Sequence, residues 1–304
     1  MHGRAGRSAG AALIGALVTA FVVAGCSVTD PTPVATPPPT AEPASVPAGV
    51  SVSVFQTRAD VPTRRLEISI TNETAAAIVV TGARFDSSQF VAPADWTVRD
   101  SATIRPGTTV NLPVQLSAAD CSSSRAEHKV RLSFVQDGPK VAEVLPLDRF
   151  DRLPALRAED CLAQSVETIA MLALAGPLST TVIGGTLVGS LGLEIVPTGA
   201  SGSLTLVSMR GAILMALADP ASGAIIESRG LNLEVDAAGR PSLIMVDFVP
   251  NRCDPHAIAE DKRGTLLPVE VSMGKVDGVY SVPVSDELRS EIYAYLVEAC
   301  GMAG

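Results

Sequence analysis

The chain predicts a mainly β protein, two tandem β-sandwich domains with a short C-terminal helix. Three observations carry that prediction: short runs alternating apolar and polar residues between turn signals, a second occurrence of the same pattern, and four cysteines divided two to each occurrence. The 304 residues are 47% apolar and 18% charged, ample for packed cores.

Val52-Ser53-Val54, Leu66-Glu67-Ile68-Ser69-Ile70, Leu112-Pro113-Val114-Gln115-Leu116 and Val130-Arg131-Leu132-Ser133-Phe134 have the period of two that half-buried strands require. Asn72-Glu73-Thr74, Arg105-Pro106-Gly107 and Gln136-Asp137-Gly138-Pro139 punctuate them as turns. Pro113 cannot donate to a ladder, so its strand is expected at a sheet edge or beginning after it. Helix is scarce. Ser285 can cap a helix to Ala299, with Asp286 and Glu287 at its positive end and Leu288, Ile292, Tyr295, Leu296 and Ala299 on one face. Leu147 to Asp160 is interrupted by Pro154 and is expected to be at most a short turn of helix. Residues 168–193 carry no charge, but their Gly and Pro content makes a poor membrane helix. They read as a linker turn followed by buried strands.

The second occurrence is specific. Gly107-Thr108-Thr109-Val110-Asn111-Leu112-Pro113-Val114-Gln115-Leu116 leads to Cys121 as Gly239-Arg240-Pro241-Ser242-Leu243-Ile244-Met245-Val246-Asp247-Phe248 leads to Cys253, with identical Gly-to-Cys spacing. Ala126-Glu127-His128-Lys129 then corresponds to Ala259-Glu260-Asp261-Lys262. Upstream, Leu66-Glu67-Ile68 and Ile78-Val79-Val80 correspond to Leu193-Glu194-Ile195 and Leu204-Thr205-Leu206. Four matches in order point to tandem duplication, with units at 50–165 and 166–304. Each unit ends with a further cysteine, Cys161 and Cys300. Four thiols permit three pairings, and duplication favours Cys121–Cys161 and Cys253–Cys300. A four-thiolate metal site lacks the close cysteine pairs of zinc knuckles.

Residues 1–25 read as an export signal. Arg4 and Arg7 make a basic start, Ala11 to Ala24 form an uncharged apolar stretch, and small residues lead to Cys26. That stretch is too short to cross a hydrocarbon core of about 30 Å. Val23-Ala24-Gly25-Cys26 resembles a bacterial lipobox. The resemblance implies cleavage before Cys26, acylation of that cysteine, and a protein held by its lipid on the extracytoplasmic face of a bacterial cell membrane. Losing two Arg with the signal takes the net charge from −9 to −11, so the lipid, not attraction to anionic headgroups, is the expected tether. Residues 26–49 contain seven Pro, a composition that favours extended polyproline conformations and cannot bury a core.

Residues 104–116, Ile104-Arg105-Pro106-Gly107 onward, resemble the turn-and-strand signature of immunoglobulin-like bacterial envelope domains, which implies that both sandwiches are immunoglobulin-like. Arg252 to Thr265 resembles segments of exported proteins of high-GC Gram-positive bacteria, and this resemblance implies origin and fold only.

The acidic balance argues against nucleic-acid partners, and one Trp leaves few stacking platforms. Trp96 reads as a core or inter-sheet residue. His256 and Glu260 are four apart and could seat a metal on a helix with help from Asp254; the simpler reading is a solvated turn beside a disulfide. The repeated Ala-Glu-x-Lys reads as a fold feature, Glu satisfying a loop amide or pairing with Lys. Ser272-Met273-Gly274-Lys275 matches a Ser-x-x-Lys nucleophile motif in a strand pattern and in the wrong order relative to Lys262-Arg263-Gly264-Thr265. Gly184 to Gly189 lacks the Lys of a phosphate loop. The expectation is a membrane-anchored, non-catalytic binding or scaffolding module with no cofactor and a partner in the envelope that the sequence does not identify. The alternative is a metal-binding or hydrolytic protein centred on Cys253 to Glu260.

Overall fold

A computed structural model describes residues 42–97, 101–259, 261, 266–274 and 276–302. Cys26 and Glu260 lie outside the described residues. The first sandwich comprises β1 (Glu42–Pro43), β2 (Val50–Phe55), β3 (Arg65–Asn72), β4 (Ile78–Ser87), β5 (Ala94–Asp95), β6 (Ala102–Ile104), β7 (Thr108–Gln115), β8 (His128–Val135), β9 (Pro139–Val144) and β10 (Leu147–Asp148). Helix α1 (Arg152–Ile169) follows. The second sandwich comprises β11 (Ala170–Ile183), β12 (Thr186–Pro197), β13 (Ser203–Arg210), β14 (Met215–Ala218), β15 (Ile225–Ile226), β16 (Ser228–Asp236), β17 (Ser242–Pro250), the short helix α2 (Pro255–Ala259), β18 (Leu267–Met273), β19 (Val276–Val282) and helix α3 (Asp286–Ala299).

The two sandwiches share one plan. In the first, β2-β3-β7 faces β9-β8-β4-β6; in the second, β11-β12-β17 faces β19-β18-β13-β16, and these strands pair antiparallel throughout. Both are immunoglobulin-like. Even an irregularity is repeated: the ladder of β4 skips between Val80 and Gly82, and that of β13 between Leu206 and Ser208. These are equivalent positions in the sequence match, and a bulge there bends the strand in the same place. One register differs. Leu66 opposes Val114, whereas Leu193 opposes Ile244, two residues short of the sequence-equivalent Val246. A slip of two keeps every side chain on its face, so the core survives it.

Alternation builds the cores. Leu66, Ile68, Ile70, Leu112 and Val114 meet Val80, Phe85, Val130 and Leu132 in the first, and Leu191, Leu193, Ile195 and Phe248 meet Leu204, Leu206, Val269 and Val271 in the second; all are buried. Each such side chain contributes roughly 1.5–3 kcal/mol relative to its exposed state. β7 lies at the end of its sheet, as Pro113 requires, with a single bridge from Trp96 to Val114 on its outer side. Trp96 packs against the first core.

Two sequence expectations need correction. Leu147 to Asp160 is not limited to a short turn, because an 18-residue helix starts at Arg152. Pro154 is only its third residue, where the missing N–H would have had no intrahelical acceptor. The Asp148 carboxylate accepts from the amides of Arg152 (2.9 Å) and Leu153 (2.8 Å) and caps the first turn from outside. Nor is there a linker turn after residue 168. α1 runs directly into β11, which forms a long hairpin with β12 around Gly184 and Gly185, both at positive φ. Helix α1 therefore joins the sandwiches and belongs to both cores: Leu153 and Leu156 are buried in the first, Leu162, Val166 and Ile169 in the second. α3 forms as expected, with Ser285 Oγ accepting from the Leu288 amide at 3.2 Å and Leu288, Ile292, Tyr295 and Leu296 buried.

Candidate functional site

Among the described residues, a cleft of about 890 Å³ opens where the loop before β3, helix α1 and strand β19 converge. Its first wall carries Val61 and Pro62. That loop is fixed by Asp60, a buried carboxylate that accepts from the Thr57 amide at 2.7 Å. Arg64, at φ 54°, forks onto the Asp160 carboxylate of α1 and donates to the Ser117 carbonyl at 2.7 Å. A bidentate pair of this kind holds loop and helix in one geometry.

The second wall is α1, with Ala158, Glu159 and Leu162, and with the disulfide partners Cys121 and Cys161 beside them. The third is β19, whose residues 276 to 281 line the cleft consecutively. Strand side chains alternate between faces, so an unbroken run means that the strand's edge, not one face, borders the space. Gly278 permits the approach: a Cβ there would lie 2.6 Å from Leu162 Cδ2. Tyr280 closes the inner end, its hydroxyl donating to Glu167 at 3.3 Å. Burial, with the nearby Glu167 charge, pushes that phenol up to about 12, so it stays a neutral donor. Glu159 is engaged by Arg152 (2.8 Å) and Asp160 by Arg64, while Asp277 is exposed. The described lining thus offers strand amides, apolar side chains and carboxylates, the groups that receive an extended chain.

The sequence-derived candidates fall elsewhere. Cys121 is bonded to Cys161 (Cα–Cα 5.5 Å) and Cys253 to Cys300 (5.3 Å), the pairing that duplication favours. The first ties the segment after β7 to α1, and the second ties the segment after β17 to the C-terminal end of α3. Asp254 accepts from the His256 amide at 3.0 Å and meets Arg252 at 3.5 Å, so its carboxylate starts α2; His256 is exposed. No group of three His, Cys, Asp or Glu side chains gathers among the described residues. Ser272 lies in β18 opposite Asp277, within a strand as its pattern requires. Lys129 does not pair with Glu127 but meets Glu143 across the strand pair at 3.5 Å, because both project from the same face of β8 and β9.

Whereas His256 is exposed, His128 is half-buried. It stacks on Phe85 (6.0 Å, 15°), its Nδ1 lies 2.9 Å from Ser87 Oγ, and burial holds its pKa below the ordinary value against a smaller opposing pull from Asp148. Nothing in the sequence distinguished the cleft residues. Only the packing of α1 against β19 makes that strand's edge a wall.

No protein-family model matches the chain, and no curated protein is similar to it in sequence. Among solved structures, red sea bream transglutaminase is 12% identical over 79% of this chain and 32% of its own, with TM-score 0.21. The chain thus spans about a third of that enzyme's length. CBD12 from CALX1.2 is 8% identical over 71% and 77%, with TM-score 0.21. The CsuC–CsuE chaperone–tip adhesion subunit pre-assembly complex from the Csu pili of Acinetobacter baumannii is 10% identical over 73% and 93%, with TM-score 0.18. Likenesses this distant say nothing about ligand or activity.

Proposed function

We propose that this chain is a lipid-anchored protein of the extracytoplasmic face of a bacterial cell membrane that binds an envelope partner without catalysing a reaction. The cleft between the two sandwiches carries the binding half of this reading. It is lined by apolar side chains and by a strand edge that carries no added strand among the described residues. Two of its walls, the loop before β3 and α1, are held together by an Arg–carboxylate fork. The two disulfides support an oxidising compartment. Cys26 is the proposed acylation site and residues 1–25 the removed signal. The tether expected over 26–49 is shortened at its end, because Glu42 and Pro43 pair with β9 and Ala44 and Val46 pack on the first core. Residues 26–41 would hold the sandwiches several tens of Å from the bilayer at about 3 Å per residue.

The test is made in cells that express the chain. Wild type should carry the mass of an acylated Cys26 N-terminus and cross-link to an envelope protein through reagents placed at Val61 or Val279. Cys26→Ala should be released or left unprocessed. An unchanged acylated mass in Cys26→Ala contradicts the anchor, and no cross-linked neighbour at either position contradicts the binding role.

A further inference from the structure

We infer that the cleft receives an extended peptide segment of a partner, with apolar residues alternating with Lys or Arg, which adds as a fifth strand to the outer edge of β19. This rests on the binding-module reading and names its ligand class.

The first support is the ladder. Among the described residues β19 ends its sheet and pairs with β18 alone. In an antiparallel pair, backbone groups point alternately toward the partner and away from it. The tight hairpin closes on the Met273–Val276 pair, and Pro268, which has no N–H, opposes Ser281. Both facts put the amides and carbonyls of Asp277, Val279 and Ser281 on the outer side, into the cleft.

The second support is the sister sandwich. Its equivalent edge strand, β9, does carry an added strand: β1 pairs with it, Glu42 opposite Lys140 and Pro43 opposite Val141, and the Ala44 amide donates to the Val141 carbonyl at 2.8 Å. The unit therefore accepts a short extended segment along this edge, and in the second copy the described chain supplies none.

The third support is charge. Of the carboxylates in the described lining, Glu159 and Asp160 are engaged by Arg152 and Arg64, and Asp277 is exposed beside the outward amides, where it can meet a basic side chain. Asp277 and Val279 project from one face of β19 and Val276 and Gly278 from the other. The basic side chains of an added strand would therefore share the face of Asp277 and the apolar ones the face of Val276, where Leu162 approaches Gly278. A tether from a second copy fits worse, because residues 26–49 hold no Lys or Arg and seven Pro.

The experiment adds a capped heptapeptide of alternating Lys and Val to the full chain in detergent and reads residue-resolved amide hydrogen exchange. Exchange at Asp277, Val279 and Ser281 should slow at least about tenfold, and the Glu/Val counterpart should leave it unchanged. Val279→Pro removes an outward amide without breaking a bond to β18, and should weaken peptide binding at least about tenfold. Asp277→Lys, which leaves the backbone intact, should reverse the preference between the two peptides. Protection elsewhere, equal protection by both peptides, or protection by a synthetic copy of residues 26–45 would overturn the inference. If cross-linking in cells still finds a neighbour, only the edge assignment falls. If it finds none, the binding reading falls as well.

Discussion

The segment that opens each half lies near an equivalent sheet edge, β9 in the first and β19 in the second, but in different forms. Before the first it is β1, an extended segment that pairs with β9; before the second it is α1, which packs beside β19. A helix satisfies its own backbone groups and has nothing to offer a strand's outward amides. The same unit therefore ends with a covered edge in one copy and an uncovered one in the other. Bare edges are a hazard that proteins usually blunt. Here α1 and the Val61–Pro62 loop restrict access to β19, which leaves a cleft in place of an open edge.

The largest expected effect tests whether the covalent ties are as alike as the folds. Cys121–Cys161 and Cys253–Cys300 close loops of 40 and 47 residues. Replacing either pair with Ser should lower the unfolding free energy by about 4 kcal/mol in denaturant titrations. The consequences should differ locally. α3 ends the described chain and should fray without its bond, whereas α1 continues into β11 and should keep its amide protection.

Next in size, Leu156→Ala and Leu162→Ala should each cost about 2–5 kcal/mol. The two residues are six apart on α1, but Leu156 is buried in the first core and Leu162 in the second. Hydrogen exchange should rise in β3 for Leu156→Ala and in β18 and β19 for Leu162→Ala. The same response to both would mean that the helix welds one cooperative core.

A smaller pair of effects concerns how α1 begins. Asp148→Ala removes the acceptor for two helix amides and should cost about 1 kcal/mol, whereas Pro154→Ala should shift the melting temperature little. The reverse ranking would show that Pro154, not Asp148, defines the start.

The smallest effect depends on pH and belongs to the first sandwich. Burial keeps the folded-state pKa of His128 below its ordinary value of 6.5, so below that pH the unfolded chain binds a proton that the folded chain does not. Stability should be full above pH 6.5 and fall as the pH drops toward the depressed value. His128→Gln should flatten that part of the melting-temperature profile, and a profile unchanged by the substitution would contradict the assignment.

Much of the fold was legible because its rules are local. Alternation gave Leu66 to Ile70 and Val130 to Phe134, Ser285 gave the start of α3, and Pro113 gave an edge strand. The disulfide pairing followed from the repeated Gly-to-Cys spacing. The length of α1 is not legible because Pro154 breaks a helix anywhere except in its first turn, and the residue that permits the helix, Asp148, lies outside it. The cleft was illegible for a different reason: it depends on the approach of Leu162 to Gly278, 116 positions apart, and on strand order, neither of which leaves a local pattern.

The difference between the two edges is measured most directly by residue-resolved hydrogen exchange on the unliganded full chain. Asp277, Val279 and Ser281 should exchange at least about a hundredfold faster than their neighbours Gly278 and Tyr280, whose amides face β18. Uniform protection along residues 276–282 would mean that the edge of β19 is already covered, and the contrast between the two sandwiches would fail.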